Sequence, residues 1–352
     1  MRLLILGTGH MANTHARNFA DMEGVTLAGA VDIDRVRAEA FRDKYGFERA
    51  FTSLGDALEW NAFDAVANVT PDSAHHATTM LCLHAGKHVF CEKPLATNHT
   101  DALEMARLAE RHNLVGMVNL TYRNVAQLQT ARKLVTGGQI GKVRHVEASY
   151  LQSWLVSKMW GDWRTESQWL WRLSKKHGSN GTLGDVGVHI LDFVVYATDT
   201  EIEDIFCRLK AFDKADGNRI GDYDLDANDS FTMSVGFTNG ALGVIHSSRW
   251  ATGHVNELRL RVYGDKGALE IQHRHDGSKL MACLGDDIET ATWNEIEAEP
   301  VPTNYQRFFE AVGQGRTLEP SFHHAAKLQR AIDLATVTEI DRREHRLEND
   351  LP

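Results

Sequence analysis

Along this chain the hydrophobic and polar positions keep one rhythm to about Thr121 and another beyond it. In the first part, short apolar runs alternate with amphipathic stretches of helical period. Leu3–Leu6 reads as a buried strand, a glycine-bearing turn opens a helical stretch through Ala20, and Val25–Val31 reads as the second strand. A helix over Asp34–Tyr45, a strand over Asp64–Thr70, a helix through His84 and a short strand ending at Cys91 continue the alternation. A helix over Asp101–His112 and a strand over Val115–Leu120 complete it. Strand and helix in strict alternation predict a doubly wound parallel sheet.

After Thr121, a helix over Ala126–Thr136 and the turn Gly137-Gly138 lead into a strand over Lys142–Leu151. β segments at 203–213, 229–237, 241–250, 256–263 and 268–272 follow, and the polar, acidic stretch 215–228 reads as a loop. The turns Thr238-Asn239-Gly240 and Gly264-Asp265-Lys266-Gly267 mark hairpins. Helices return at about 303–313 and 322–341. The expected architecture is an α/β domain over 1–121, followed over 122–352 by an α+β domain with a large, mostly antiparallel open sheet.

The first turn carries chemistry. Gly7-x-Gly9-x-x-Ala12 stands between strand and helix, the arrangement of a Rossmann dinucleotide site. Gly7 makes the turn, Gly9 lets a pyrophosphate approach the backbone, and Ala12 lets helix pack on strand. The phosphates would meet the helix N-terminus across Gly7, Gly9, His10 and Met11. Asp32 ends the second strand, where a carboxylate accepts from an adenosine ribose. Arg35 and Arg37 follow and could take a 2′-phosphate, but an ionised Asp32 repels that phosphate at close range. NAD is therefore expected in preference to NADP. Thr70-Pro71 ends a further strand where a ligand could sit, with His75 one helical turn on. His75 and His76 also fit the polar start of an amphipathic helix, which suits them better than a metal site.

Two further groups stand out. Glu92-Lys93-Pro94 places a lysine at a strand end, where the proline biases it away from helix. Farther on, Gly181-Thr182-Leu183-Gly184-Asp185 opens a stretch in which Leu183, Val186, Ile190 and Phe193 recur with helical spacing. Asp185 and His189 are then i and i+4 on one face, where a carboxylate beside an imidazole builds a general base. Taken singly, the first reads more readily as a loop lysine and the second as a core histidine.

These motifs together resemble the Gfo/Idh/MocA family of glucose–fructose oxidoreductase, inositol dehydrogenase and rhizopine-catabolism enzymes. The shared residues are Gly7-x-Gly9-x-x-Ala12, Thr70-Pro71 with His75, Glu92-Lys93-Pro94 and Asp185-x-Gly187-x-His189-x-x-Asp192, and agreement runs through Gly240-Ala241 and Gly264–Gly267. The resemblance implies an NAD(P)-dependent dehydrogenase or reductase acting on a CH–OH group of a sugar, sugar derivative or cyclitol. It assigns the proton to Lys93, Asp185 and His189, and implies a cis peptide at Pro94. Around the nicotinamide it puts Glu92, Asn119, Trp171, Arg172 and Tyr305. Candidate substrate contacts are Lys93, Tyr122, Arg123, Arg164, Asn180, Asp185 and His189. Relatives often carry three glycines where this chain has Ser179-Asn180-Gly181, which leaves Asn180 open as a contact to a substrate hydroxyl. Rival readings on the same fold are a non-catalytic NAD-dependent sensor and an NAD-dependent glycosidase.

Composition narrows the partners. A formal charge of −10 argues against nucleic acid or an anionic membrane surface. Four cysteines without a C-x-x-C suit reduced thiols in a cytoplasmic protein, and no segment is long enough to span a membrane. Neither is a metal expected. Residues 152–177 hold Trp154, Trp160, Trp163, Trp169 and Trp171 with Arg164 and Arg172 among them. Aromatic faces with arginines suit a sugar ring, and the same tryptophans would also pack a domain junction or subunit interface. Phe231, Met233, Val235 and Phe237 alternate along one strand. If they form an outer apolar face, the C-terminal sheet pairs with a second copy as a homodimer or homotetramer.

Overall fold

The computed structural model describes residues 1–347, which form two compact units. The first comprises residues 1–121 with 302–329, the second 122–301 with the chain from 330 onward. The contiguous second domain expected from the sequence is thus interrupted, and its residues 348–352 lie outside the described residues.

The first unit is built on β1 (Arg2–Leu6), β2 (Thr26–Val31), β3 (Arg49–Phe51), β4 (Ala65–Asn68), β5 (His88–Cys91) and β6 (Gly116–Val118). They form a parallel sheet in the order β3-β2-β1-β4-β5-β6. Leu3, Leu4 and Ile5 of the central strand are fully buried, as a strand covered on both faces requires. Asn98 caps the helix His99–Arg111 by accepting from the Asp101 backbone N–H, so that helix starts earlier than its apolar period suggests. The helix Asn304–Gln314 joins this unit because Tyr305, Phe308 and Ala311 bury one face in the core that holds Phe19 and Phe90. Phe19 and Tyr305 meet edge to face at 5.1 Å, and Phe90 and Phe308 lie 5.2 Å apart. Gly116 is a packing requirement: a Cβ there would come within 2.5 Å of the Phe322 ring.

The second unit carries β7 (Val143–Gln152), β8 (Ile202–Lys210), a two-residue pair β9 (Arg219–Ile220) and β10 (Tyr223–Asp224), β11 (Ser230–Phe237) and β12 (Leu242–Ser248). After these come β13 (Asn256–Gly264), β14 (Gly267–Arg274), β15 (Gly277–Leu284), β16 (Asn294–Glu295) and β17 (His345–Arg346). A nine-stranded sheet runs β16-β15-β14-β13-β7-β12-β11-β8-β17. It is antiparallel except where β12 runs parallel to β7. Helices Ala126–Thr136 and Val188–Thr198 pack against it.

The strand β11 corrects an expectation. Phe231, Met233, Val235 and Phe237 are at most 1 % exposed within a single chain, so they do not form an outer apolar face. The opposite side of the sheet is ionic where β7, β13 and β14 meet: Arg259 and Arg261 pair with Glu270, and Arg261 also reaches Glu147. These four residues of β11 therefore give no argument for a second copy on the sheet. All four cysteines are buried and free, and among the described residues no helix is long and apolar enough to cross a membrane.

Candidate active site

Gly7 closes the turn after β1 with φ 89°, and a Cβ there would meet the Val69 carbonyl oxygen at 2.7 Å. A Cβ on Gly9 would meet nothing within 4 Å, and no side chain caps the helix His10–Ala20 that Gly9 begins. The first N–H groups of that helix therefore face a bare backbone cradle, which fits a pyrophosphate. His10 and Met11 are exposed beside it. Asp32 sits at the end of β2. Its Oδ2 accepts from the Thr8 backbone N–H at 3.0 Å and hydroxyl at 2.7 Å, and its Oδ1 from Asp34 N and Arg37 Nη2, both at 2.9 Å. Burial alone would raise its pKa. The hydrogen bonds from Asp34 and Thr8, with Arg37 close by, outweigh it and hold the carboxylate below its usual range.

Thr70 and His75 form the next wall. The His75 ring is fully buried; Nδ1 lies 2.7 Å from the Pro94 carbonyl oxygen and Nε2 2.9 Å from that of Thr70. Expected to touch the cofactor, His75 instead spends its polar atoms on bracing the Thr70 and Pro94 segments. The Lys93–Pro94 peptide is cis.

Beneath Lys93 lies a buried network. Glu92 Oε1 is 2.6 Å from His15 Nε2 and accepts from Asn119 Nδ2 at 2.8 Å, while Oε2 accepts from the Lys93 backbone N–H at 3.2 Å. Asn119 Nδ2 also reaches the Tyr305 hydroxyl at 3.4 Å. Burial would raise the Glu92 pKa, but the His15 bond and charge, the Asn119 bond and Lys93 bring it down to about 2. Glu92, Asn119 and Tyr305 are thereby brought together, with His15 as a fourth member that the sequence reading missed.

In the second unit, Asp185 and His189 sit at the entry to the helix Val188–Thr198. The entry is not α-helical: Leu183–Gly187 is a π-helical turn. Such a turn is wider, so the simple i, i+4 stacking expected for these two residues does not describe it. Asp185 Oδ2 instead accepts from Arg249 Nη2 at 2.9 Å and faces Arg172 Nη1 at 3.4 Å. His189, 7 % exposed, meets the edge of Tyr122 at 5.0 Å. The Tyr122 and Tyr150 hydroxyls are 2.5 Å apart, and Asn256 Nδ2 donates to Tyr122 at 3.1 Å. Burial, with Tyr122 and Asp185 adding to it, pushes the Tyr150 hydroxyl well above its ordinary pKa. Tyr150 therefore acts as a neutral hydrogen-bonding partner. Asn180 is exposed at the mouth of the π turn, its carbonyl accepting from Gly184 N and Asn228 Nδ2.

Two expected substrate contacts are placed elsewhere. Arg123 is buried, binds Asp192 through Nε and Nη2, and lies 3.7 Å over the Tyr196 ring. Its guanidinium is structural, tying 3₁₀ turn to helix. Arg164 lies 4.4 Å over Trp163 beside Asp162 on an exposed turn. Among the tryptophans, Trp154 and Trp163 are buried and donate to Gln152 and to the Leu155 carbonyl, in a cluster with Leu170, Leu173 and Leu225. Trp171 stacks with Arg172 at 4.7 Å. Arg249, which the sequence analysis did not single out, is a fully buried cation of this region. Its only sequence signal was an arginine following two serines at the end of a strand.

Comparison with known proteins agrees with this fold. Levoglucosan dehydrogenase of Pseudarthrobacter phenanthrenivorans is 23 % identical, covering 90 % of each chain. Myo-inositol 2-dehydrogenase of Thermotoga maritima is 25 % identical over 76 % of this chain and 74 % of its own. The crystal structure of an oxidoreductase domain protein from Kribbella flavida superposes with a TM-score of 0.88 at 29 % identity, covering 99 % of both chains. Residues 1–120 match the oxidoreductase family described by its NAD-binding Rossmann fold, and residues 128–270 match the GFO/IDH/MocA C-terminal domain. With both halves matched, the chain belongs to the Gfo/Idh/MocA family of NAD-binding oxidoreductases.

Proposed function

We propose that this enzyme moves a hydride between NAD and a secondary alcohol or ketone of a sugar, sugar derivative or cyclitol. The observation that carries the reading is that one chain holds Lys93, Asp185 and His189 together with an intact phosphate turn, and that Asp185 is held by two guanidinium groups. A sensor on this fold needs only the turn and Asp32. Relatives named as dehydrogenases of levoglucosan and myo-inositol support the substrate class.

NAD, when bound, supplies the hydride acceptor. Gly7, Gly9, His10 and Met11 would hold its phosphates, Asp32 its adenosine ribose, and Thr70, Pro71, Glu92, Asn119, Trp171, Arg172 and Tyr305 its nicotinamide end. His189 takes the proton of the reacting hydroxyl. Asp185 balances the charge that develops on the ring, and the Lys93 ammonium donates to the oxygen as charge builds there. Tyr122 steadies the imidazole edge-on, and Asn180 is available for a further hydroxyl. Absorbance at 340 nm, followed against hexoses, anhydrosugars, glycosides and cyclitols, tests the proposal. The expected result is NADH formation with at least one polyol. Saturable NAD binding without turnover of any member would overturn it.

The cofactor preference is NAD, on the strength of Asp32. Asp32→Ala should raise the KM for NAD several-fold and narrow the gap to NADP. The reason is charge: the carboxylate that repels a 2′-phosphate is gone, and Arg37, 57 % exposed and now released, can pair with it. Unchanged KM values for both cofactors would remove Asp32 from the adenosine end.

A further inference from the structure

Arg249 follows the last residue of β12, and its place is fixed before its side chain is considered. Its backbone N–H donates to the Asp229 carbonyl at 2.9 Å, and its carbonyl accepts from Leu155 N at 3.4 Å. The guanidinium is fully buried and lies 4.9 Å from the centre of the Trp154 ring. Nη2 donates to Asp185 Oδ2 at 2.9 Å and toward the Gly181 carbonyl at 3.4 Å, while Nη1 donates to the Arg172 carbonyl at 3.2 Å. One planar group thus ties the Trp171–Arg172 segment, the turn before the π-helical entry and the Asp185 carboxylate.

A guanidinium with no exposed surface needs its charge met, because its desolvation costs several kcal/mol; here both Nη atoms donate, while Nε has no hydrogen-bond partner among the described residues. Here the anion in hydrogen-bond contact is Asp185, whose side chain is 26 % exposed. A carboxylate half turned to solvent could adopt several rotamers. Bonded to a group that cannot move, it keeps one. A lysine would not replace that function, since its ammonium has no planar fork to bond two backbone carbonyls and a carboxylate at once.

We infer that Arg249 is the positioning residue of the proton-handling pair: by holding Asp185 and the Gly181 and Arg172 carbonyls together, it sets where the carboxylate stands relative to His189. The inference rests on the proposed roles of Asp185 and His189. It is tested with Arg249→Ala and Arg249→Lys, with Asp185→Asn in parallel, using NAD and the panel polyol of highest turnover. Arg249→Ala should lower kcat roughly 10²-fold, the scale of an ångström-sized misplacement, with the dissociation constant for NAD within about twofold of the parent. Guanidinium chloride at non-denaturing concentration should restore part of that kcat in Arg249→Ala and none in Asp185→Asn. In a crystal structure of Arg249→Ala, the Asp185 carboxylate should leave its parent position.

Should Arg249→Ala fail to fold, Arg249→Lys carries the test, with kcat lowered about tenfold or more and NAD binding retained. Parent-like kcat in the lysine variant, or an alanine variant that folds and shows neither loss nor guanidinium rescue, would overturn the inference. Parent-like turnover in Asp185→Asn would instead overturn the proposed roles on which it rests.

Discussion

Replacing His189 with alanine lowers kcat by roughly 10²–10⁴-fold, the range for loss of a general acid–base group, while the dissociation constant for NAD changes little. The split follows from placement. His189 sits in the second unit, one residue into the helix Val188–Thr198, against the edge of Tyr122. The phosphate turn, Asp32 and the Glu92 network all belong to the first unit. Tyr122 and Tyr150 offer no substitute base. Their hydroxyls are bonded to each other, and Tyr150 is pushed well above its ordinary pKa. Steady-state kinetics with fluorescence titration of NAD checks both halves of the expectation. A variant that bound NAD as weakly as it turned over would point to a cofactor role and sink the assignment.

Much of the fold was legible because its signals are local. The strands of the first unit are apolar runs bounded by turns, and the helix Ala126–Thr136 and the helix Phe322–Asp341 have the bounds their periods predict. What escaped depends on distant partners. The β15 strand opens Gly277-Ser278-Lys279, too polar to read as a strand until its pairing with β14 is known. Residues 302–329 lie within the sequence span of the second domain, yet Tyr305 and Phe308 find their core against Phe19 and Phe90. Period 2 placed Phe231, Met233, Val235 and Phe237 on one side of β11 but could not say which side the helices cover.

The site shows the same division. Gly7, Gly9 and Asp32 carry their meaning in spacing, and Glu92, Asn119 and Tyr305 do meet, though nearly two hundred positions separate the last two in sequence. His15 reads as one polar residue on an amphipathic helix. Only the fold shows it opposite Glu92. Arg249 likewise has no motif, and its importance comes from the three segments its guanidinium touches. Arg123 shows the converse error: an arginine at the crossing between units was read as facing a ligand, whereas Asp192 was waiting for it inside the second unit.

The second large effect belongs to stability. Glu92→Gln should destabilise the protein at pH 7 by an amount that shrinks as the solution is acidified. Glu92 is 8 % exposed, and its carboxylate accepts from His15, Asn119 and the Lys93 backbone. Its pKa falls from 4.5 to about 2 in the folded chain, although burial by itself would raise it. A depressed folded value means that the unfolded chain binds the proton first. The stabilisation is therefore complete above the unfolded pKa of 4.5 and is lost as pH falls toward the folded value of about 2. At about 1.4 kcal/mol per unit, that shift is worth on the order of 3 kcal/mol at neutral pH. His15→Ala should cost at least as much at pH 7, because it leaves the carboxylate buried without its partner at 2.6 Å. Urea unfolding of the parent, His15→Ala and Glu92→Gln at pH 7 and pH 3 measures this. The parent's advantage over Glu92→Gln should shrink by about 2 kcal/mol at the lower pH, because at pH 3 the unfolded chain has taken up the proton while the folded carboxylate, with its pKa of about 2, still largely has not. An advantage that stayed constant between the two would show that Glu92 contributes packing and not charge.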